Sequence, residues 1–249
     1  MNIIEINKLT HRFADGSLGL NEIDLSIEKG GFVVLAGPNG SGKTTLLRHL
    51  NGLLRPSAGE VRINGIPVSK NVKRARQVVG MVFQDADSQI VGETVFDDAA
   101  FGPENLGLDR DEVDRRVTEA LQAVGLADVA DRRPHLLSGG QKRKLAIAGV
   151  LAMKSQVIVF DEPFSNLDYI GIRQVLEQIL KLHASGHTIV ITTHDLEKVL
   201  YYADRLVVMD GGQVVCNGVP EKIVPEIERY GVRRPCAVRL GMEVESWLS

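Results

Sequence analysis

The apolar positions along the chain follow patterns that predict a mixed α/β protein. A continuous apolar run between two glycines, Gly31–Gly37, is typical of a parallel strand buried on both faces. Thr44–Asn51 then predicts a helix. Further along, predicted strands at Val157–Phe160 and Thr188–Thr192 flank a predicted helix over Ile170–Leu182. That order is a βαβ unit, which places the two strands parallel in one sheet.

Two-residue turn signals indicate that another part of the chain is antiparallel. Short strands are predicted over Ile3–Ile6 and Glu60–Ile63, and Asn64-Gly65 follows the second of them. Asparagine and glycine suit a type I′ hairpin turn, because both of its central positions need a positive φ. A second hairpin is predicted from Leu206–Val208 through Asp210-Gly211-Gly212 to Val214–Cys216.

The middle of the chain has helical periodicity. Asp109 can cap a helix and Glu112 can complete a capping box, while Gly125 ends the apolar pattern Val113, Val117, Leu121, Val124. A second helix is predicted from about Gly139 to Leu151. We therefore expect a single domain over 1–249, with an α/β core formed by 1–84 and 156–220, a helical subdomain over 85–155 and a charged C-terminal tail over 221–249.

Composition and charge narrow the class of protein. The chain has 249 residues, 44% of them hydrophobic, with a formal net charge of −3. That charge gives no field to hold nucleic acid non-specifically, so we expect no nucleic-acid partner. Cys216 and Cys236 lack a CxxC spacing and indicate free thiols in a reducing compartment. The longest apolar stretch, Leu145–Met153, is too short to span a membrane, and the N-terminus lacks the pattern of a signal peptide.

A phosphate-binding loop stands between the buried strand and the first helix. The segment fits GxxxxGK[ST] and consists of Gly37, Pro38, Asn39, Gly40, Ser41, Gly42, Lys43 and Thr44, with Thr45 next in the helix. Its glycines let backbone N–H groups converge on one anion at a helix N-terminus. Lys43 would reach the β- and γ-phosphates, and Thr44 would hold Mg²⁺. The alternative is an ordinary glycine-rich turn, which the strand–loop–helix context disfavours.

Two further motifs carry candidate chemistry. Asp161 and Glu162 end an apolar strand, where the first can bind a metal and the second can polarise a water for attack on a γ-phosphate. Taken alone, such a pair is usually a solvated strand end. A second anion-binding helix start comprises Leu137, Ser138, Gly139, Gly140 and Gln141. It can be read as a simple helix cap, but beside a complete phosphate loop it implies a site shared between two molecules.

These motifs, with Ser165-Asn166-Leu167-Asp168 and His194 after them, resemble the nucleotide-binding subunits of ABC transporters from Phe13 to about Gly218. The resemblance implies a P-loop NTPase (RecA-like) α/β core with an antiparallel β subdomain and an inserted α-helical signature subdomain. It also implies that two subunits sandwich two ATP molecules with Mg²⁺, and that hydrolysis drives transport across a membrane.

The resemblance implies a role for each matched residue. Phe13 would stack on adenine, and Gln84 would sense Mg²⁺ and the attacking water and link the core to the helical insertion. Asp161 would bind the metal, Glu162 would activate water, and His194 would contact the γ-phosphate. The residues that act across the dimer interface would be Ser138, Gly139, Gly140, Gln141 and Asp168.

A narrower resemblance follows Gln84. The segments Phe83–Ile90, Thr94–Asp98, Ala100–Asn105 and Gln141–Met153 are similar to ATPases of energy-coupling factor (ECF) transporters. That similarity implies an identical or paralogous second ATPase subunit, a transmembrane scaffold protein and a small substrate-capture membrane protein, at the cytoplasmic face of the cell membrane. The cargo would be cobalt, nickel or a vitamin such as biotin. We further hypothesise that scaffold arginines bind Asp85, Asp87, Asp97 and Asp98, unless these acids simply cap helices.

Other readings share the same core motifs. An ATPase of a binding-protein-dependent importer or of an exporter would differ only after Gln84. DNA-repair and chromosome ATPases need long coiled coils, and translation factors usually carry two ATPase cores, neither of which the sequence shows. A P-loop kinase or GTPase has no use for the LSGGQ motif.

Overall fold

Two β-sheets share one apolar layer in the computed structural model, which describes residues 1–248. The strands are β1 (Asn2–Arg12), β2 (Leu18–Glu28), β3 (Phe32–Ala36), β4 (Ala58–Ile63), β5 (Ile66–Pro67), β6 (Val79–Val82), β7 (Val157–Asp161), β8 (Thr188–Thr193), β9 (Arg205–Asp210) and β10 (Gln213–Gly218). The helices are α1 (Lys43–Leu50), α2 (Val72–Val78), α3 (Val95–Asn105), α4 (Arg110–Val124), α5 (Gly139–Ala152), α6 (Tyr169–Ala184), α7 (Pro220–Ile223) and α8 (Cys236–Arg239).

The larger sheet brings the motif-bearing strand ends together. Its order is β10-β9-β3-β8-β7-β6, and β6, β7, β8, β3 and β9 run parallel. The carboxyl ends of β3, β8 and β7 are therefore neighbours at one edge, and in open α/β sheets this edge binds ligands. β10 pairs antiparallel with β9, as the second hairpin signal predicts. The smaller sheet, in the order β2-β1-β4-β5, is antiparallel.

Alternate residues of the parallel strands pack into two separate cores. In β3, Phe32 and Val34 face the core formed with the helices, whereas Val33 and Leu35 face the core shared with the antiparallel sheet and α1. A strand with both faces covered must be apolar at every position, since neither face meets water. This explains why the run between Gly31 and Gly37 is continuous rather than alternating.

The predicted caps and turns are confirmed, with one exception. Asn64 and Gly65 both have positive φ, of 49° and 75°, and Gly125 ends α4 with a φ of 70°. Asp109 caps α4 by accepting a hydrogen bond from the Glu112 backbone N–H at 2.9 Å. The reciprocal half of the predicted capping box is wrong. The Glu112 carboxylate instead pairs with the guanidinium groups of Arg116 and Arg115, which lower its pKa to about 2.

The three long helices between β6 and β7, α3, α4 and α5, match the predicted helical stretch. Helix α5 packs closely against β6. The absence of a side chain at Gly80 permits this contact, since a Cβ there would come within 2.1 Å of the Val150 side chain. Strand β2 and helix α3 were not specified by the sequence pattern. Signals for both are nevertheless present: Ile23, Leu25 and Ile27 of β2 alternate with more exposed residues, and Thr94 forms a capping box with Asp97 at the start of α3.

The segment after β10 packs onto the rest of the chain. Val224, Ile227 and Val232 are buried in the core formed with the helices. Trp247 lies against Tyr169 at the start of α6, with the ring centroids 5.2 Å apart. Ser249 of the predicted tail lies outside the described residues. Across residues 1–248, no helix combines the length and the apolar character that a membrane span requires.

The two-core arrangement predicts which side chains, when shortened to alanine, lower the free energy of unfolding. Ile158 of β7 is fully buried against the helices, so Ile158→Ala should lower the free energy of unfolding by about 2–5 kcal/mol in urea titrations. Ile170→Ala is the matched control: that side chain is 63% exposed, and its loss should change stability by less than about 0.5 kcal/mol. Equal losses for the two variants would contradict the assignment of Ile158 to the core.

Candidate nucleotide site

A cleft of about 380 Å³ opens at the edge of the larger sheet where β3, β7 and β8 end. It brings together residues that lie far apart in the sequence. Its lining comprises Phe13, Leu18, Gly19, Asn39, Gly40, Ser41, Gly42, Lys43, Thr44, Thr45, Gln84, Asp161, Glu162 and His194. Gly37 and Pro38 form the base of the same loop, and their carbonyl oxygens bond to Lys43.

The backbone of the phosphate loop requires glycine at its two ends. Gly37 has a φ of 152°, and a Cβ there would lie 2.2 Å from the carbonyl oxygen of Met209. Gly42, at the N-cap of α1, is left-handed with a φ of 101°. Side chains at these positions would clash or strain the turn. The loop therefore ends at the N-terminus of α1, where free backbone N–H groups favour an anion.

Lys43 lies under the loop rather than in solvent. Its Nζ donates to the carbonyl oxygens of Gly37, at 2.7 Å, and Pro38, at 3.0 Å. Burial lowers the pKa of Lys43, and the carboxylates of Glu162 and Asp161 oppose that shift. The ammonium group is thus held within the cleft, between the loop and two acidic side chains.

Asp161 connects three elements. It is buried, and it accepts hydrogen bonds from Thr44 Oγ1 at 2.9 Å and from Thr192 Oγ1 at 2.6 Å. Hydroxyl and carboxylate oxygens are the ligands that Mg²⁺ prefers, and Thr44 and Asp161 present them side by side with the Gln84 side chain in the same cleft. The donor set therefore fits the predicted metal. Thr192 was missed from the sequence, although the polar pair Thr192-Thr193 at the end of an apolar strand is a visible signal.

Glu162 is held in an unusual backbone conformation. Its φ is 48°, a left-handed value that a non-glycine residue adopts at a cost of about 1–3 kcal/mol. Its backbone N–H donates to the Thr192 hydroxyl at 3.0 Å. His194 Nδ1 lies 3.0 Å from Glu162 Oε2, with the glutamate side chain 13% exposed and the histidine 67% exposed. The carboxylate thus faces the cleft behind a solvent-facing imidazole.

Phe13 forms one wall of the cleft and is 43% exposed. The rings of Phe13 and His11 are in T-shaped contact, with their centroids 4.9 Å apart. The ring also lies over Gly19, where a Cβ would come within 2.6 Å of it. His11, Leu18 and Gly19 were not predicted to belong to the site. An exposed aromatic face supported from behind suits stacking on a planar ring.

The remaining predicted site residues lie elsewhere, at the start of α5. Ser138 caps α5 and forms a capping box with Gln141. A Cβ on Gly139 would lie 3.6 Å from Leu167, and one on Gly140 would lie 3.7 Å from Gly171. Asp168 caps α6 by accepting from the Gly171 N–H at 2.7 Å. The chain therefore presents two separate groups of predicted residues: the cleft, and the adjoining starts of α5 and α6.

The four acids assigned to scaffold arginines all have partners within the chain. Asp97 accepts from the Thr94 N–H and hydroxyl in a capping box, and Asp98 accepts from two backbone N–H groups at Val91 and Gly92. Asp85 accepts from the Asp87 backbone N–H, and Asp87 pairs with Lys142. The structure supports the capping alternative for Asp97, whereas Asp98 holds the loop that precedes α3 and caps no helix.

Comparison with known proteins agrees with these motifs. A family model described as ABC transporter matches residues 20–165. The energy-coupling factor transporter ATP-binding protein EcfA of Methanocaldococcus jannaschii is 46% identical over 231 residues, which are 92% of this chain and 83% of that protein. A putative ABC transporter ATP-binding protein of Halobacterium salinarum is 45% identical over 233 residues, 94% of this chain and 100% of the relative.

A solved structure shows the same fold. The structure of cbiO1 from Clostridium perfringens, described as part of the ABC transporter complex cbiONQ, matches with a TM-score of 0.82 and 35% identity, over 96% of this chain and 98% of that one. The predicted P-loop NTPase fold is confirmed by these similarities. The chain therefore belongs to the ABC transporter family, as an ATP-binding ATPase similar to the energy-coupling factor ATPases.

Proposed function

We propose that this chain binds ATP and Mg²⁺ between two ATPase subunits and powers an ECF-type importer by hydrolysis. The observation that carries the proposal is the position of Glu162, a carboxylate in the same cleft as the phosphate loop, with His194 hydrogen-bonded to it. The ECF class follows the names of the relatives, which are similar over most of their length.

We assign each group of cleft residues a separate role in phosphoryl transfer. The loop from Gly37 to Thr44 surrounds the phosphates with backbone N–H groups, and Lys43 adds a positive charge next to them. Thr44, Asp161 and Gln84 would hold Mg²⁺, which when bound neutralises charge on the phosphates. Glu162 accepts a hydrogen bond from the attacking water and so orients it in line with the γ-phosphate. His194, at the mouth of the cleft, donates to the γ-phosphate.

A second subunit completes each site. Ser138, Gly139, Gly140 and Gln141 form the N-terminus of a 14-residue helix, which favours an anion, yet they lie outside the cleft of their own chain. We infer that they contact the γ-phosphate held by the facing subunit, and that Asp168 lies across the same interface. A two-fold axis makes both surfaces self-complementary. The second subunit is then a copy of this chain or a paralogue with the same two groups.

The wider assembly follows from the relatives. We infer that the chain is attached to the cytoplasmic face of the cell membrane by a transmembrane scaffold protein, with a small capture protein that binds the cargo. Cobalt, nickel or a vitamin such as biotin is the proposed cargo. Within the chain, we assign the ATPase core to 1–84 and 156–220, the subdomain that meets the scaffold to 85–155, and the C-terminal tail to 221–249.

Removing the charge of Glu162 tests the sandwich mechanism. Glu162→Gln keeps the shape of the side chain but weakens its ability to polarise water, so turnover should fall by about 10²–10⁴-fold. ATP binds the closed pair more tightly than the open one, so the variant should accumulate as a dimer with ATP and Mg²⁺ in light scattering. Glu119→Gln, on the exposed face of α4, is the control and should behave as wild type. A Glu162→Gln protein that stays monomeric would refute the mechanism.

The contributions of Phe13 and Lys43 to nucleotide binding can be distinguished by comparing two ligands, ATP and inorganic tripolyphosphate. Phe13→Ala should weaken ATP binding by about 1–3 kcal/mol in titration calorimetry, through the loss of stacking on adenine, and leave the affinity for inorganic tripolyphosphate unchanged. Lys43→Ala should weaken the binding of both ligands, because it removes charge at the phosphates. An equal effect of Phe13→Ala on the two ligands would exclude the stacking role.

Purification from the native membrane tests the transporter class. A tagged chain, extracted in mild detergent, should carry a small scaffold protein and a small capture protein, with vitamin or metal bound to the latter. A conventional permease in their place would assign the chain to a binding-protein-dependent importer or an exporter. Absence of any membrane partner would favour a non-transport ATPase.

A further inference from the structure

Two buried histidines connect Phe13 with α1, the helix that begins at the phosphate loop. The His11 ring makes T-shaped contacts with two other rings, that of Phe13 at a centroid distance of 4.9 Å and that of His49 in α1 at 4.8 Å. His11 is 7% exposed and His49 is 1% exposed. Histidine is not among the residues most often fully buried, and neither side chain has a part in the proposed hydrolysis. The three rings form a continuous row from the cleft to α1.

A backbone carbonyl group orients each histidine. His49 Nδ1 lies 2.8 Å from the carbonyl oxygen of Thr45, one turn earlier in α1, and His11 Nδ1 lies 3.3 Å from the carbonyl oxygen of Arg55. A carbonyl oxygen only accepts hydrogen bonds, so Nδ1 carries the proton in both rings. The orientation of the rings behind Phe13 is therefore set by backbone groups of α1 and of the segment that follows it.

The contact between the two histidines is a packing contact rather than a hydrogen bond. Burial lowers the pKa of His49, the Thr45 carbonyl oxygen opposes that shift, and the neighbouring His11 adds to it. The Nε2 atom of His49 is buried and has no hydrogen-bond partner within residues 1–248. A proton on that atom would be a buried donor without an acceptor, which is unfavourable. His49 is therefore a neutral ring that supports His11 by its shape.

The backbone around Phe13 leaves its side chain free to turn. Phe13 lies at the tip of the hairpin between β1 and β2, where its N–H donates to the Ser17 carbonyl oxygen and its own carbonyl oxygen accepts from the Gly16 N–H, both at 2.9 Å. On one side the ring lies over Gly19, which has no side chain to hold it. The contact with His11 therefore restricts the ring where the backbone does not. The pairing of β1 with β2 shifts register on both sides of His11, and such irregularities re-aim side chains.

We propose that His11 is a positioning residue that holds the Phe13 ring in place for adenine, and that His49 attaches His11 to α1. Because α1 begins at the phosphate loop, the two histidines would keep the adenine-binding wall at a set distance from the phosphates. A ring that is already oriented loses little freedom when the nucleotide binds, which favours affinity. The inference rests on the proposed function, since it assumes that Phe13 stacks on adenine.

Two substitutions of His11 separate its ring from its hydrogen bond. His11→Phe keeps an aromatic ring beside Phe13 but cannot donate to the Arg55 carbonyl oxygen, whereas His11→Asn keeps a donor and removes the ring. In titration calorimetry on the purified full chain, His11→Asn should raise Kd for ATP by about three- to tenfold, the effect expected of one aromatic pair. His11→Phe should bind ATP as wild type does. Both variants should bind inorganic tripolyphosphate with unchanged Kd, because that ligand has no ring to stack.

A double variant tests whether His11 acts through Phe13. Phe13→Ala alone should weaken ATP binding. Adding His11→Asn to Phe13→Ala should cause no further loss, because the ring that His11 supports is already absent. An additive loss in the double variant would mean that His11 acts on the nucleotide by another route, and it would overturn the positioning role.

His183→Asn is the matched control. The His183 ring also makes a T-shaped contact with a phenylalanine, Phe32 at a centroid distance of 5.4 Å, and its Nε2 lies 2.9 Å from the Gly30 carbonyl oxygen. It does not line the cleft. His183→Asn should therefore leave Kd for both ligands unchanged, even where its Tm falls as far as that of His11→Asn.

The outcomes separate the role of His11 from the proposed function. Unchanged ATP binding in His11→Asn, an equal loss for ATP and tripolyphosphate, or an equal loss in His11→Phe and His11→Asn would each overturn that role. Should His11→Asn fail to fold, His11→Leu fills the space without a planar ring and should show the same selective loss. If Phe13→Ala binds ATP as wild type does, the stacking assigned to Phe13 fails, and the role of His11 fails with it. A loss in Phe13→Ala without one in His11→Asn refutes the role of His11 alone.

Discussion

The arrangement of the cleft depends on one buried carboxylate, that of Asp161 at the tip of β7. A buried carboxylate is unfavourable without donors, and here the hydroxyls of Thr44 and Thr192 supply them from two other elements. The same contacts set the neighbours of those residues. Lys43 precedes Thr44, Glu162 follows Asp161, and His194 lies two residues beyond Thr192. Satisfying one acid therefore brings the ammonium, the carboxylate and the imidazole into one cleft.

How much of this could be read from the sequence depends on the range of each interaction. β3, α1, α5 and the Asn64-Gly65 turn were predictable because continuous apolar runs, caps and positive-φ turns are local. Thr192 was not, because it faces Asp161 only through the register in which β7 pairs with β8. His11 was missed for a similar reason, since its partner at Arg55 lies 44 residues away. The Glu112 prediction failed locally: two guanidinium groups attract its carboxylate more strongly than a single backbone N–H.

The residues proposed to bind phosphate form two groups that lie in different parts of the chain. The cleft lies at the carboxyl edge of the parallel sheet, while the LSGGQ residues lie at the start of a helix outside it. Under the proposed function, each chain supplies half of two sites, and the pair of subunits is the unit of catalysis. The left-handed backbone of Glu162 fits this view. Backbone strain of this kind is retained where a side chain must point in one direction, and here it points into the cleft.

The contact between Trp247 and Tyr169 has a practical consequence. Trp247 is the sole tryptophan of the sequence, and its ring packs against the residue immediately after Asp168. A rearrangement that moves Tyr169 would change the packing around that indole. The protein consequently contains its own optical probe: the emission of a single native fluorophore follows the segment assigned to the subunit interface, with no label attached.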